Sequence, residues 1–242
     1  MKLKVLWLYH DMMDLYGDKG NIKVLQKRCM DRDIEIEIDT LAIGEEKNFS
    51  EYDILFIGGG ADREQALIYQ DLLSRKQDIV DAMDKKSFVL LICGGYQLFG
   101  QYYLDQTGNK IEGLKILDYY TKADNTKGRC IGNIWVKTIL DGKEVDLVGF
   151  ENHAGQTIGV NQPMGKVIKG HGNQTNSQFE GVMRERLIGT YMHGPLLPKN
   201  PELADYIIKK GLEKNYGEVL LSPLDDTFEK LAKQAMIKRL DV

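Results

Sequence analysis

Cysteine is scarce in this 242-residue chain: Cys29, Cys93 and Cys130 are odd in number and far apart. That argues against a disulfide framework and against a zinc knuckle, and it suits a reducing compartment, the cytosol. Proline is equally sparse, at five, and no apolar run approaches the roughly 18 residues that a membrane-spanning helix needs. The N-terminus starts Met1-Lys2 and has only a short apolar stretch. Asp11 and Asp14 follow without a small-residue cleavage site, so it reads as a first strand and not as a signal peptide. Positive charge is not in excess: 32 Lys and Arg stand against 36 Asp and Glu, a net −4 that gives no reason to expect nucleic acid or an anionic membrane as partner. Repeats, low-complexity tracts and linkers are also missing, which predicts one domain over residues 1–242.

What is present alternates between strand and helix. Lys2 to Tyr9 is apolar enough for a strand, and Asn21 to Met30 places Ile22, Leu25, Cys29 and Met30 at helical spacing. Ile34 to Asp39 alternates apolar and acidic residues, the mark of a half-exposed strand near a sheet edge. Asp53 to Ile57 is a short buried-type strand running into Gly58-Gly59-Gly60. Helical spacing then continues to about Lys85 with a break, and Ser87 to Cys93 is the next strand. This order predicts an α/β fold, a doubly wound, mostly parallel sheet with flanking helices. In the second half Gly113 to Thr121, Cys130 to Thr138 and Glu144 to Phe150 read as antiparallel additions to the sheet. Gly155 to Gln178 reads as loop with short strands, Leu187 to His193 as a strand, and Pro201 to Gly211 as a helix with proline at its first position. Thr227 to Leu240 reads as a basic amphipathic helix.

One junction carries chemistry. Ser87 to Ile92 is the kind of run that both faces of a parallel sheet bury, and it ends on Cys93 followed at once by Gly94-Gly95 and an amphipathic segment. A strand that turns into a helix at a cysteine has the form of a nucleophile elbow, with the helix dipole favouring thiolate. The alternative is a buried cysteine that ends a core strand. A nucleophile needs a base. Of His10, His153, His171 and His193, the last also ends a strand, before Gly194-Pro195, where it forms a cysteine–histidine arrangement for acyl transfer or is a structural turn histidine. The amides of Gly94 and of Gly59 or Gly60 are candidate oxyanion donors. The triple glycine is otherwise a turn or a phosphate cradle, but with no Lys-Ser/Thr after it a P-loop is excluded.

Four stretches in order, Ile57 to Gln65, Ile92 to Gln97, Gly149 to His153 and His193 to Asn200, resemble class I glutamine amidotransferases of flavodoxin-like fold. They resemble more narrowly the cobyric acid synthase-like branch, in which the histidine is followed by glycine in place of His-x-Glu. Within that branch the set is similar to the glutaminase subunits of lipid II isoglutaminyl synthases. The resemblance implies that Cys93 attacks the side-chain amide of L-glutamine, that His193 shuttles the proton, and that Gln97 and Arg129 hold the substrate. Arg129 is otherwise a solvated loop charge. It further implies a heterodimer with a MurT-type, Mur-ligase-like subunit, which would use the ammonia in an ATP-dependent amidation of lipid II, while this chain needs no cofactor and no metal. Pro195 stands where the wider class has its glutamate. Asp18 is therefore the candidate acid behind His193, or an N-cap of the following helix; Glu151 and His153 are further candidates for positioning or for lining an ammonia exit. The competing readings are a glutaminase for a corrinoid-type amidation and a non-catalytic binding protein of the same fold.

Overall fold

A computed structural model describes residues 1–124, 126 and 128–241. In chain order β1 (Lys2–Leu8), α1 (Lys19–Met30) and β2 (Glu35–Leu41) are followed by β3 (Ile54–Ile57), α2 (Asp62–Ser74), α3 (Lys76–Asp84), β4 (Phe88–Ile92) and the short α4 (Gly94–Phe99). The next strands are β5 (Tyr102–Leu104), β6 (Lys110–Glu112), β7 (Tyr120–Ala123), β8 (Cys130–Leu140), β9 (Lys143–His153) and β10 (Gly155–Ile158). Then come β11 (Gly165–Lys169), β12 (Phe179–Glu180), β13 (Val182–Arg184), β14 (Leu187–Thr190), α5 (Pro201–Tyr216) and α6 (Thr227–Leu240).

The central sheet has the order β2-β1-β3-β4-β14-β13. Its first five strands are parallel, and β13 is antiparallel at the edge. Every residue of β3, β4 and β14 is buried, as a strand covered on both faces requires, whereas β2 at the edge is mostly half-exposed. The order reverses direction between β1 and β3. In sheets of this kind the ligand crevice opens beyond the carboxyl ends of the strands at that reversal. The loops after β1, β3, β4 and β14 all open there.

The remaining strands, β5 to β13, pair antiparallel except for β5 with β7, and depart from the expectation in one respect. Only β13 joins the central sheet; the others form two four-stranded sheets of their own, β10-β7-β5-β6 and β12-β11-β8-β9. β8 alternates buried with more exposed residues, so it needs cover on one face only. Gly113 to Thr121 is mainly irregular. The Gly113 amide donates to the Gln101 carbonyl at 2.9 Å, and a side chain at Gly113 would collide with the Gly100 carbonyl, so the segment is held as a tight crossing, not as a strand.

β14 stops at Thr190, three residues short of His193. His193 instead exchanges two backbone hydrogen bonds with Phe150 of β9, at 2.8 and 3.0 Å, and so ties the long hairpin to the rim of the central sheet. The segment beyond it is pinned by buried asparagines. Asn21 accepts from the Leu197 amide at 2.9 Å, and Asn200 accepts from the Val148 amide while donating to the Val148 and Leu196 carbonyls. Arg28 of α1 reaches Asp205 of α5 at 2.7 Å and Asp226 at 2.6 Å, which fixes α1, α5 and the approach to α6 together. Among the described residues no helix is long and apolar enough to cross a membrane.

Candidate active site

Cys93 carries the turn between β4 and α4 itself. Its backbone stands at φ 48° and ψ −100°, a region that non-glycine residues avoid. The two glycines after it have ordinary φ; what they provide is closeness. A Cβ on Gly94 would sit 3.0 Å from the Gly60 backbone nitrogen, and one on Gly95 would sit 2.9 Å from the Ile57 carbonyl. The strained turn is held by the Cys93 amide donating to the Thr190 carbonyl at 2.8 Å and by the Gln97 amide donating to the Cys93 carbonyl at 2.9 Å.

Cys93, Gln97 and Arg129 line one cavity of about 390 Å³, together with Tyr16, Gln65 and His153. Burial pushes the Cys93 thiol up to about 12, helped by the Asp18 carboxylate; the Gly94 amide and the Arg129 cation pull the other way. In the free protein Cys93 is therefore a thiol at neutral pH.

The Gly58–Gly60 loop is packed on Met13, whose carbonyl and sulfur occupy the places that side chains at Gly58 and Gly60 would need. Of the three candidate oxyanion donors, Gly59 is already committed: its amide donates to Asp18 Oδ2 at 2.7 Å. Gly60 and Gly94 back onto one another at the elbow, and the Gly94 amide is directed at the Cys93 sulfur.

Asp18 makes no hydrogen bond to His193 and, although it stands at the N-cap position of α1, its carboxylate does not cap that helix. Its Oδ1 has no partner among the described residues. Burial drives its carboxyl up to about 7, against the Gly59 amide, which favours the charge. His193 is fully buried, with both ring nitrogens lacking a partner among the described residues. Burial, with the nearby charges of His153 and Lys199, pushes the imidazole down to about 3. The face of this pocket towards His193 is closed by Tyr16, whose ring meets the imidazole edge-on at 4.7 Å. Tyr16 sits at φ 57° and ψ 23°, in the left-handed region, and its hydroxyl accepts from Asn152 Nδ2 at 2.6 Å. Asn152 Oδ1 in turn accepts from Arg129 Nε and Nη2 at 3.0 and 2.9 Å.

A second network holds Gln97. Gln65 Nε2 donates to the Gly60 carbonyl at 3.1 Å and to Gln97 Oε1 at 3.0 Å. A carbonyl can only accept, so this orients both amides. Gln97 Nε2 then donates to the Tyr191 hydroxyl at 3.2 Å, which bonds Thr157 at 2.6 Å. Glu151 accepts the His171 and Gly172 amides, and His153, at the cavity wall, stacks on Tyr191 at 3.7 Å with Nδ1 on the Gly155 carbonyl. Tyr16 and Asn152 escaped the sequence reading. Tyr16 is a loop residue beside the sheet's reversal point, and Asn152 stands between two residues that were singled out.

Residues 4–201 match the CobB/CobQ-like glutamine amidotransferase domain. The chain belongs to that family. It is a glutamine amidotransferase. Among its relatives, the lipid II isoglutaminyl synthase (glutamine-hydrolyzing) subunit GatD of Staphylococcus aureus is 39% identical over 97% of this chain and 96% of the relative. The protein of that name from Streptococcus pneumoniae is 36% identical over 92% of this chain and 85% of its own length. A probable cobyric acid synthase of Methanocaldococcus jannaschii is 29% identical over 75% of this chain but only 39% of its own length. The fold is shared with the glutaminase domain of Trypanosoma brucei CTPS with bound acivicin, at TM-score 0.54 and 11% identity over 91% of this chain and 96% of that one.

The geometry of Asp18 gives a pH test. Between the ordinary 3.8 and about 7 the folded chain keeps a proton that the unfolded chain has released. Asp18 therefore favours folding at acid pH, and that contribution is lost as the pH rises through 7. Asp18→Asn keeps the acceptor for Gly59 without the charge. Its melting temperature relative to the parent is expected to improve from pH 5 to pH 8, measured by calorimetry, with glutamine turnover within a few-fold. A variant that falls further behind at pH 8, or a turnover lost by orders of magnitude, would contradict this placement.

Proposed function

We propose that this chain hydrolyses L-glutamine through a thioester on Cys93 and passes the ammonia to a MurT-type, Mur-ligase-like subunit. That partner would use ATP to amidate the D-glutamate α-carboxyl of lipid II in peptidoglycan synthesis. The observation that carries the reading is the near end-to-end match, 97% of this chain and 96% of the relative, to a subunit named for lipid II amidation. The cobyric acid synthases are matched over about two-fifths of their length, which makes a corrinoid-type amidation the second reading. A non-catalytic role is disfavoured, because a strained cysteine at φ 48° is a feature that a mere binding protein has no use for.

In the proposed reaction the α-carboxylate of glutamine takes Arg129 from Asn152 Oδ1, which leaves the Asn152 side chain free to turn away from the Tyr16 hydroxyl it donates to, so that Tyr16 can swing off His193. The sulfur of Cys93 forms a bond to the glutamine Cδ as its proton passes to the imidazole, and the oxyanion is met by the Gly60 and Gly94 amides. His193 then gives the proton to the departing nitrogen, and ammonia leaves. Water, deprotonated by the same imidazole, attacks the thioester and releases glutamate with the thiol restored. Gln97 keeps the substrate side chain in line.

The test is reconstitution with the Mur-ligase-like subunit of the same organism, ATP, glutamine and lipid II. Ammonia release from glutamine together with amidated lipid II is the expected result. Ammonia release without lipid II amidation would overturn the acceptor and leave the glutaminase standing.

A further inference from the structure

α6 is apolar on two opposite sides. On its inner side Lys233 is buried and donates to Glu202 at 2.6 Å and to the Asp146 carbonyl at 2.9 Å, with Met236, Ile237 and Leu240 half-buried beside it. On the outer side Phe228 is 82% exposed and Leu231 57%, and they form a stripe with Ala235 at helical spacing. Single exposed apolar side chains are ordinary. A helix with apolar residues on both sides is instead the pattern of one that is covered on both. The exposed charges of the helix are all cations, Lys230, Lys238 and Arg239, while Glu229 lies towards the inner side.

The position of α6 among relatives bears on what the cover is for. The family match ends at residue 201, before α6 begins. The cobyric acid synthases, which match 75 to 82% of this chain, carry the domain as part of a longer chain. The Staphylococcus aureus subunit, matched over nearly its whole length, covers 97% of this chain, too much to leave out a 14-residue helix. A glutaminase joined covalently to the rest of its enzyme needs no added surface to stay attached, whereas a separate subunit does. α6 also packs on the turn Leu197–Lys199, just beyond His193, so a partner seated on it would lie next to the catalytic rim.

We propose that the outer face of α6, Phe228, Leu231 and Ala235 edged by Lys238 and Arg239, docks in an apolar, acid-rimmed groove of the synthetase subunit. This rests on the function proposed above. It is the helix-in-groove mode, with Phe228 as the anchor and the cations setting register and salt dependence.

The experiment compares the wild-type chain with a Phe228→Asp, Leu231→Asp variant in co-expression with the tagged Mur-ligase-like subunit, followed by titration calorimetry of the purified subunits. Both substitutions point into solvent, so unchanged thermal unfolding of the isolated chain is expected. The affinity should fall about 30-fold or more, while Phe228→Leu stays within about 3-fold, and Lys238→Glu with Arg239→Glu weakens binding more at low salt than at high salt. Equal capture of wild type and the double variant overturns this inference and leaves the function intact. Failure of the wild-type chain to bind the synthetase overturns the functional reading and this inference with it. A dimer of the isolated chain, or its binding to phosphatidylglycerol vesicles, that the double variant abolishes while synthetase binding is kept would assign the face to a second copy or to a membrane and overturn the proposal.

Discussion

Cys93→Ala is expected to lower kcat for glutamine hydrolysis by roughly four to six orders of magnitude, as loss of a nucleophile does in enzymes of this type, while the chain stays folded. In the proposed reaction the sulfur forms the covalent bond, and no other thiol lines the cavity: Cys29 and Cys130 are buried elsewhere. The same residue stores strain, because φ 48° with ψ −100° is a conformation that only glycine adopts freely. Cys93→Gly should therefore be equally inactive and more stable than the parent by about 1 kcal/mol or more. Ammonia release and calorimetry on the two variants check both halves. Turnover near the wild-type rate in Cys93→Ala would end the nucleophile assignment, and a Cys93→Gly chain no more stable than Cys93→Ala would end the strain argument.

The second large effect is at His193. His193→Asn should lower turnover about 10³-fold, the size of effect expected for a general acid–base group. It should nevertheless leave the alkylation of Cys93 by iodoacetamide in the free protein nearly unchanged. Neither ring nitrogen bonds the thiol in the free state, and the imidazole, pushed down to about 3, is neutral at pH 7. With the Cys93 thiol pushed up to about 12, the alkylation rate should rise with pH past 10 with no plateau near neutrality. A plateau below pH 8 that disappears in His193→Asn would mean that the pair is already assembled without substrate. Tyr16→Ala uncovers the imidazole and should move its pKa from about 3 towards the ordinary 6.5, read from the ring proton shifts.

Much of this was legible in the chain because the relevant signals are local. Phe88 to Ile92 is buried throughout, and only such a run can end inside a crevice on a cysteine that is followed by two glycines. The break between α2 and α3, the half-exposed edge strand β2 and the bounds of α6 follow from spacing in the same way. The antiparallel half was harder. β8 has the alternation of a one-face strand, but nothing in it says which sheet it joins, since that depends on partners distant in sequence. Asp18 illustrates the limit at the site. Its place after β1 brings it to the spot where Gly59 approaches Cys93, yet that its carboxylate meets the Gly59 amide is a matter of side-chain direction, which no spacing encodes.

By itself the sequence determined the strand–helix order, the cysteine at the end of β4, the glycines on which two backbones close, and membership of the family through residues 4–201. Each is a property of neighbours along the chain. Only the tertiary structure decided that Cys93 and not Gly94 takes the strained φ, that Asp18 occupies the Gly59 amide, and that Tyr16 covers a buried His193. These follow from β1, β3, β4 and β14 delivering four separate loops to one rim, where packing, burial and the competition for a few backbone amides set which side chains meet.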